Sequence, residues 1–280
     1  MSYRRKLILI FMIVSIVPLT FTYAFFMFRE YNIQRVQVIT DFQERIEYDV
    51  YELNSLLLEY IQKLQITRHH PRIQSVLRTP VPLQMSTILF DFYTDMQSLY
   101  RAFGDASPFW RFTIYTLNPN VISGTFIRDV SFMDEHAYKT AINNADDEYI
   151  LTISNCAHYL YILGPEANLA GEVYAIAQVT LSLEGLRRYI TGDYPEGTQA
   201  HFIVTSEDEA HINLIGDLVD FNIDDYYHIA VPVLDSGIIA LYLPTDYFTG
   251  QLIYPLLSIT IIYVIVVVIF ALLTMLISRF

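Results

Sequence analysis

Two uncharged stretches, one near each end, constrain this chain more than any other feature. Leu7 to Phe28 reads LILIFMIVSIVPLTFTYAFFMF, and Leu252 to Ile277 reads LIYPLLSITIIYVIVVVIFALLTMLI. Each exceeds the ~20 apolar residues with which a helix crosses a hydrocarbon core about 30 Å thick. Lipid offers the backbone no hydrogen-bond partner, so both stretches are expected to be helical throughout. Pro18 marks a point where the first can kink. The two stretches also explain why 53% of the chain is hydrophobic, more than a soluble domain of this size carries. The first has the basic start of a signal peptide, Arg4, Arg5 and Lys6. Its exit, Phe21-Thr22-Tyr23-Ala24-Phe25-Phe26, has no small-x-small cleavage site, so it reads as an uncleaved anchor.

The flanking charges set an expected orientation. Arg4, Arg5 and Lys6 precede the first stretch and Arg279 follows the second, and positive flanks stay in the cytoplasm. Both termini are therefore expected inside, with residues 29–251 outside a plasma membrane. All 30 acidic residues lie in that middle part with 13 of the 17 basic ones, a formal charge of −17. Such a surface disfavours nucleic acids and anionic headgroups. Cys156 is the only cysteine, so no intramolecular disulfide holds the outer region. Its 223 residues suffice for a core of their own, as one large or two small domains.

A single apolar stripe follows the first stretch: Val36, Ile39, Phe42, Ile46, Val50, Leu53, Leu57, Tyr60 and Leu64 recur at spacings of three and four. The first membrane helix is expected to continue as a rod to about Arg68. Its stripe can form a coiled-coil seam with a second copy or pack on its own domain. Pro80 and Pro82 predict a turn, and Met85 to Phe103 a second amphipathic helix ended by Gly104. From Phe109 to Thr116 the period falls to two, as in a strand. Asn118-Pro119-Asn120 predicts a turn into a partner strand opening at Val121-Ile122. Ser131 with Asp134 predicts the start of a helix over Phe132 to Ile142. Three β-rich runs follow, Tyr149–Ser154, His158–Leu163 and Glu172–Leu183, with Gly164 to Asn168 as a connection, and they suit an antiparallel meander. Leu183 to Tyr189 reads as a short helix. Thr191 to Gly197 reads as a linker, and beyond it come two hairpins, one around Ser206-Glu207-Asp208-Glu209 and one around Asp235-Ser236-Gly237. Thr245 or Asp246 is expected to cap the second membrane helix.

This order resembles double-Cache sensor regions, which are extracytoplasmic relatives of the PAS fold. Phe112 to Ile127, FTIYTLNPNVISGTFI, resembles the first hairpin of the distal module, and Gly171 to Ile190 its last long strand. Ile229 to Phe248 resembles the closing hairpin of the proximal module. The opening Tyr3 to Thr20 is similar to that of YesM-type sensor histidine kinases. The resemblance implies an α+β fold: two transmembrane helices flank a helical rod and a PAS-like double-Cache sensor of antiparallel sheets with helices. The segments would be a cytoplasmic N-terminus (1–6), membrane helix (7–28), rod (29–68), distal sensor domain (69–190), linker (191–197), small proximal β domain (198–248), membrane helix (252–277) and cytoplasmic stub (278–280). It implies the input region of a bacterial receptor, most often a two-component histidine kinase whose HAMP linker and kinase domain would follow Phe280. Alternatives are the sensor region of a membrane-bound AraC-type regulator and a stand-alone tethered binding protein.

The resemblance also implies a homodimer whose signalling rod includes Ile46, Val50, Leu53, Leu57 and Leu64. The ligand would be a small molecule, or a solute-binding protein that delivers one, held between the distal sheet and the segment covering it. In the corresponding stretches Trp110, Arg111, Tyr115, Arg128, Asp129 and Tyr161 are the candidate ligand-binding residues. Aromatics supply stacking area and a charged pair fixes a polar group. The order Trp110-Arg111-Phe112 departs from the arginine-x-tryptophan-tyrosine pattern of amino-acid-binding relatives. No nucleophile elbow or nucleotide-binding glycine box is present, so no catalytic residue or cofactor is expected. His69 and His70 lack the i, i+4 partner of a zinc helix. His201 and His211 could face each other across a hairpin, but an ordinary polar hairpin is the simpler reading, and no metal is expected.

Overall fold

The computed structural model describes residues 3–78, 86–102, 110–119, 121, 123–124, 126–168, 170–190, 192–205, 211–216 and 225–279. The turn at Pro80 and Pro82, the helix end at Gly104 and the acidic turn from Ser206 to Glu209 lie outside them. The fold is α+β. Its helices are α1 (Tyr3–Arg68), α2 (Pro71–Arg78), α3 (Ser86–Ala102), α4 (Glu135–Asn143), α5 (Leu183–Arg187) and α6 (Thr245–Arg279). Its strands are β1 (Trp110–Thr116), β2 (Ile127–Asp129), β3 (Ile150–Ile153), β4 (Tyr159–Ala167), β5 (Val173–Ser182), β6 (Gln199–Val204), β7 (His211–Ile215), β8 (Tyr226–Val233) and β9 (Gly237–Pro244).

The chain divides into two compact units. One comprises Met1–Glu44, Asn222–Tyr227 and Leu243–Phe280. Ile253–Thr274 in α6 has a mean hydropathy of 3.1, and the apolar window of α1 is likewise long enough to cross a membrane; neither window is buried. Within this unit the two helices share a polar clasp. Thr20 and Thr260 donate their hydroxyls to the carbonyls of Ile16 and Leu256 in their own helices. That leaves each threonine oxygen to accept from a tyrosine of the other helix, Tyr263 Oη to Thr20 and Tyr23 Oη to Thr260, both at 2.8 Å. The two tyrosine rings stack at 4.2 Å. Every polar hydrogen in this clasp finds an acceptor, the condition lipid imposes.

The other unit, Arg45–Phe221 with His228–Tyr242, holds two sheets. The first has the order β2-β1-β5-β4-β3 and the second β7-β6-β9-β8. Ile46, Val50, Leu53, Leu57 and Leu64 of α1 are buried inside the chain, whereas Val36 is exposed. The stripe from Ile46 to Leu64 thus packs on its own domain. Polar ties hold α1 there as well. The buried Asp49 carboxylate accepts from Gly192 N and from Tyr194 Oη at 2.9 Å, and Asn54 Oδ1 accepts from Leu234 N in the β8–β9 turn. In the second sheet Phe202 and Ile239 are fully buried opposite one another. Gly237 is required beside them, since a Cβ there would meet Val233 O at 3.0 Å and the Phe202 ring at 3.1 Å.

Three expectations are corrected. β1 and its partner do not form a hairpin: β2 lies at Ile127–Asp129 and runs parallel to β1, with Ile114 opposite Ile127. The intervening chain is pinned, because Asn118 Nδ2 donates to Val76 O in α2 and Asn118 N to the Thr116 hydroxyl. β2 therefore joins the sheet in the same sense as β1. The helix after β2 starts at Glu135 rather than Phe132. Asp134 accepts from His136 N and Ala137 N as its cap, while Asp129 accepts from Ser131 N and caps a separate 3-10 turn, Val130–Phe132. Gly164 to Ala167 is no connection but the second half of β4, paired with β5. β3 reaches only to Leu163, so from Gly164 onward β4 is an edge on that side, where Pro165 is tolerated. A helix that periodicity did not isolate, α2, opens on Pro71, the position at which a missing N–H costs nothing.

Candidate functional site

The two faces of the first sheet differ in chemistry. Side chains alternate along a strand and opposed residues share a face. Trp110, Phe112 and Ile114 therefore stand with Leu181, Val179 and Ala177 of β5, and with Leu160 and Ile162 of β4. That face is apolar, and Trp110 meets Tyr60 of α1 with ring centroids 5.5 Å apart. The reverse face carries Arg111, Thr113 and Tyr115 of β1, Arg128 of β2, Thr152 of β3, Tyr161 of β4, and Gln178 and Thr180 of β5. α4 packs on one part of it, where Met133, Ala137 and Ala141 cluster with Tyr115, Tyr161, Leu163 and Ile176.

This polar face is buried without being satisfied. Thr152 is 1% and Gln178 3% exposed, yet Thr152 Oγ1 and Gln178 Oε1 have no hydrogen-bond partner. Gln178 Nε2 donates to Thr180 Oγ1 at 2.9 Å, which turns the amide oxygen outward from that contact. A buried acceptor without a donor costs roughly 1–3 kcal/mol, so a sheet built only for stability would carry valine and leucine here. Charge converges on the same place. Burial raises the Tyr115 phenol above its ordinary value, with Arg128 and Arg111 opposing. Burial pushes Tyr161 up to about 12, and the Asp134 carboxylate adds to the effect. Both phenols are thus neutral donors near pH 7, between a half-buried guanidinium and the carboxylate that caps α4.

Of the six residues singled out from sequence, the structure brings Arg111, Tyr115, Arg128 and Tyr161 together on this face. Trp110 stands on the opposite face. Asp129, next to Arg128 in β2, points to the other side and is engaged as the cap of the 3-10 turn. Sequence reasoning missed Thr113, Thr152, Gln178 and Thr180. Alternation held the signal: Thr152 and Gln178 fall on inward positions of β-rich runs, where an apolar residue belongs. His201 and His211 do share a face of the second sheet, with ring centroids 6.0 Å apart. Burial lowers the His201 pKa, keeping that ring neutral. Among the described residues, no three His, Cys, Asp or Glu side chains are arranged to hold a metal ion.

No protein-family model matches the chain, and no curated protein matches it in sequence. Several solved structures are similar over most of its length. The extracellular domain of a putative histidine kinase aligns with 76% of this chain and 95% of its own, at 12% identity and a TM-score of 0.46. The ligand-binding domain of the Pseudomonas fluorescens chemoreceptor CtaA, solved with L-isoleucine, aligns with 78% and 98% at 14% identity and a TM-score of 0.41. That of the Pseudomonas aeruginosa chemoreceptor PctB, solved with L-Arg, aligns with 72% and 92% at 12% identity and a TM-score of 0.37. Likenesses this distant assign neither ligand nor activity to the present chain.

Proposed function

We propose that the chain is the ligand-sensing input region of a two-pass membrane receptor, with residues 29–251 outside and both termini in the cytoplasm. The ligand is a small polar molecule bound on the polar face of the first sheet, under α4. The observation that carries this reading is the pair of buried, unpartnered atoms Thr152 Oγ1 and Gln178 Oε1. They offer a ligand hydrogen bonds that the chain itself leaves unmade. On the same face Tyr161 stands opposite Thr152, Tyr115 lies two residues from the Thr113 that opposes Gln178, and Arg128 stands opposite Tyr115 on β2. A ligand shifts a receptor only by its differential affinity for two states. Closing α4 over a ligand that satisfies these atoms supplies that difference. α1 contains both a membrane-crossing stretch and the packed stripe from Ile46 to Leu64, and that continuity supports its role as the signalling rod of a homodimer. The double-Cache resemblance and the YesM-like opening favour a sensor histidine kinase as the output.

Thermal shift of the whole chain in detergent, against a panel of small polar metabolites, tests the site. The expected result is a raised melting temperature with one ligand class that is lost in the Thr152→Val, Gln178→Leu double variant. An equal shift in that variant sinks the proposed site. The coding sequence beyond Phe280 tests the output: a HAMP linker and kinase domain support the kinase, and a helix-turn-helix pair or a stop codon rejects it.

A further inference from the structure

A cavity between α1, the start of β1 and α5 lies at the margin of the packed core, on the side of the first sheet away from the polar face. It measures about 380 Å³, within the ~300–1,000 Å³ range of small-molecule sites. Leu56 and Tyr60 line it from α1, Trp110 from β1, and Leu186, Arg188 and Tyr189 from α5 and the residues just after it. Three of its eight lining residues are aromatic. Trp110 is the only tryptophan in the chain. It shares its sheet face with Phe112 and Ile114, which are completely buried, but Trp110 itself keeps accessible surface. Its ring and that of Tyr60 are tilted by 43° at 5.5 Å, neither stacked nor edge to face. The Arg188 side chain is 60% exposed, and its ion pair with Glu184 is loose at 3.9 Å. An exposed pair of that kind contributes little to stability.

We infer that this cavity is a second binding site, specific for a planar aromatic carboxylate. The ring lies against Tyr60 and Trp110, and the carboxylate meets the Arg188 guanidinium. Rings of this kind supply area and orientation, and arginine supplies the paired donors that a carboxylate requires. The site is separate from the polar face proposed above, because Trp110 is on the reverse side of β1 from Arg111, Thr113 and Tyr115. An occupant would touch both α1 and α5. α5 leads into Gly192 to Tyr194, which α1 already holds through Asp49. Occupancy therefore tightens the packing of α1 on this unit.

The test uses the single tryptophan as its own reporter. Phenylacetate is titrated into the full chain in detergent micelles, with 2-phenylethanol as the uncharged probe of similar size, and Trp110 fluorescence is read. The expected result is a saturable change with phenylacetate and binding of 2-phenylethanol about tenfold weaker, the effect of losing one charge-assisted contact. Arg188→Gln should weaken phenylacetate about tenfold and leave 2-phenylethanol unchanged. Arg188→Lys, which keeps the charge, should lose less, and matching melting curves for both variants confirm that they fold. The Thr152→Val, Gln178→Leu variant should bind phenylacetate as the parent does, so the two sites fail or stand separately. No saturable change with phenylacetate overturns the inference, as do equal affinities for the two probes or an Arg188→Gln variant without effect. A response lost in the Thr152→Val, Gln178→Leu variant places the ligand on the polar face and also overturns it.

Discussion

The two faces of the first sheet are made by the same five strands, but they obey different rules. On one, the apolar side chains Phe112, Ile114, Leu160, Ile162 and Val179 at its centre are all at most 1% exposed. On the other, Thr113, Thr152 and Gln178 are nearly as buried, but they keep hydroxyl and amide groups that apolar residues could replace. Depth alone therefore does not decide what a strand carries. The first face gains stability from apolar area removed from water, roughly 25 cal/mol per Å². The second leaves hydrogen bonds unmade, which is how a site retains affinity for something outside the chain.

The contrast breaks most visibly at the centre of the apolar face. Phe112→Ala should destabilise the folded chain by about 3–5 kcal/mol, because the side chain is wholly enclosed and its neighbours collapse only partly. Denaturant unfolding of the detergent-solubilised protein measures it, and a loss under ~1 kcal/mol would contradict the assignment of this face as core. Leu53→Asp should act in the same direction, now through folding, since Leu53 is buried within the chain.

A second effect comes from a buried acid at the end of the apolar side. Glu166 pairs with Ala175 at the end of β4 and is 5% exposed. Tyr174 Oη donates to its Oε2, and Arg78 Nε in turn donates to Tyr174 Oη. Burial raises the Glu166 carboxyl from its ordinary 4.5 to about 7, against the Tyr174 hydrogen bond and the charges of Arg68 and Arg78. The folded state thus prefers the neutral acid. Its contribution is complete below the unfolded pKa, near 4.5, and is lost as pH rises through about 7. Between pH 5 and 8 the wild type should lose about 2–3 kcal/mol relative to Glu166→Gln, which stays neutral. Parallel stability profiles for the two proteins would show that Glu166 is already charged in the fold.

How much of this was legible beforehand follows the same divide. The membrane-length stretches, the stripe on α1 and the meander of β3 to β5 rest on runs of apolar residues, which local periodicity reports directly. The position of β2 does not. It depends on Asn118 reaching Val76, a contact 42 residues away that no local pattern contains. The same holds for Gly164 to Ala167: Gly-Pro reads as a break, and only the end of β3 at Leu163 makes room for proline in a strand. For the site, the sequence singled out Trp110 and Asp129 together with their neighbours Arg111 and Arg128. Of these, Arg111 and Arg128 are the ones that the register places on the polar face. Thr152 and Gln178 carry no motif, and their meaning appears only once burial is known.

The smaller effects test the polar face directly, and the first has an unusual sign. Thr152→Val is nearly isosteric and removes a hydroxyl that is buried without a partner. In the ligand-free protein it should stabilise by about 1 kcal/mol, while removing part of any ligand-induced thermal shift. A destabilisation of that size would mean that the hydroxyl is already satisfied and that the contrast between the faces is only compositional.

Asp134 separates geometry from charge on the same face. Its Oδ1 accepts from His136 N and Ala137 N, so Asp134→Ala should cost about 1 kcal/mol of stability by leaving those donors open. Asp134→Asn keeps an oxygen acceptor at the cap and should stay within roughly 0.5 kcal/mol of the parent, since Asn and Asp cap about equally well. What Asp134→Asn removes is the negative charge that helps hold the Tyr161 phenol protonated. The Tyr161 pKa should therefore fall from about 12 in this variant, read by ultraviolet titration of the tyrosines against a Tyr161→Phe control. If Asp134 were only a cap, the alanine variant would lose stability and the asparagine variant would change nothing. If it also sets the potential of the polar face, the asparagine variant will melt like the parent while its tyrosine titration and ligand response both shift.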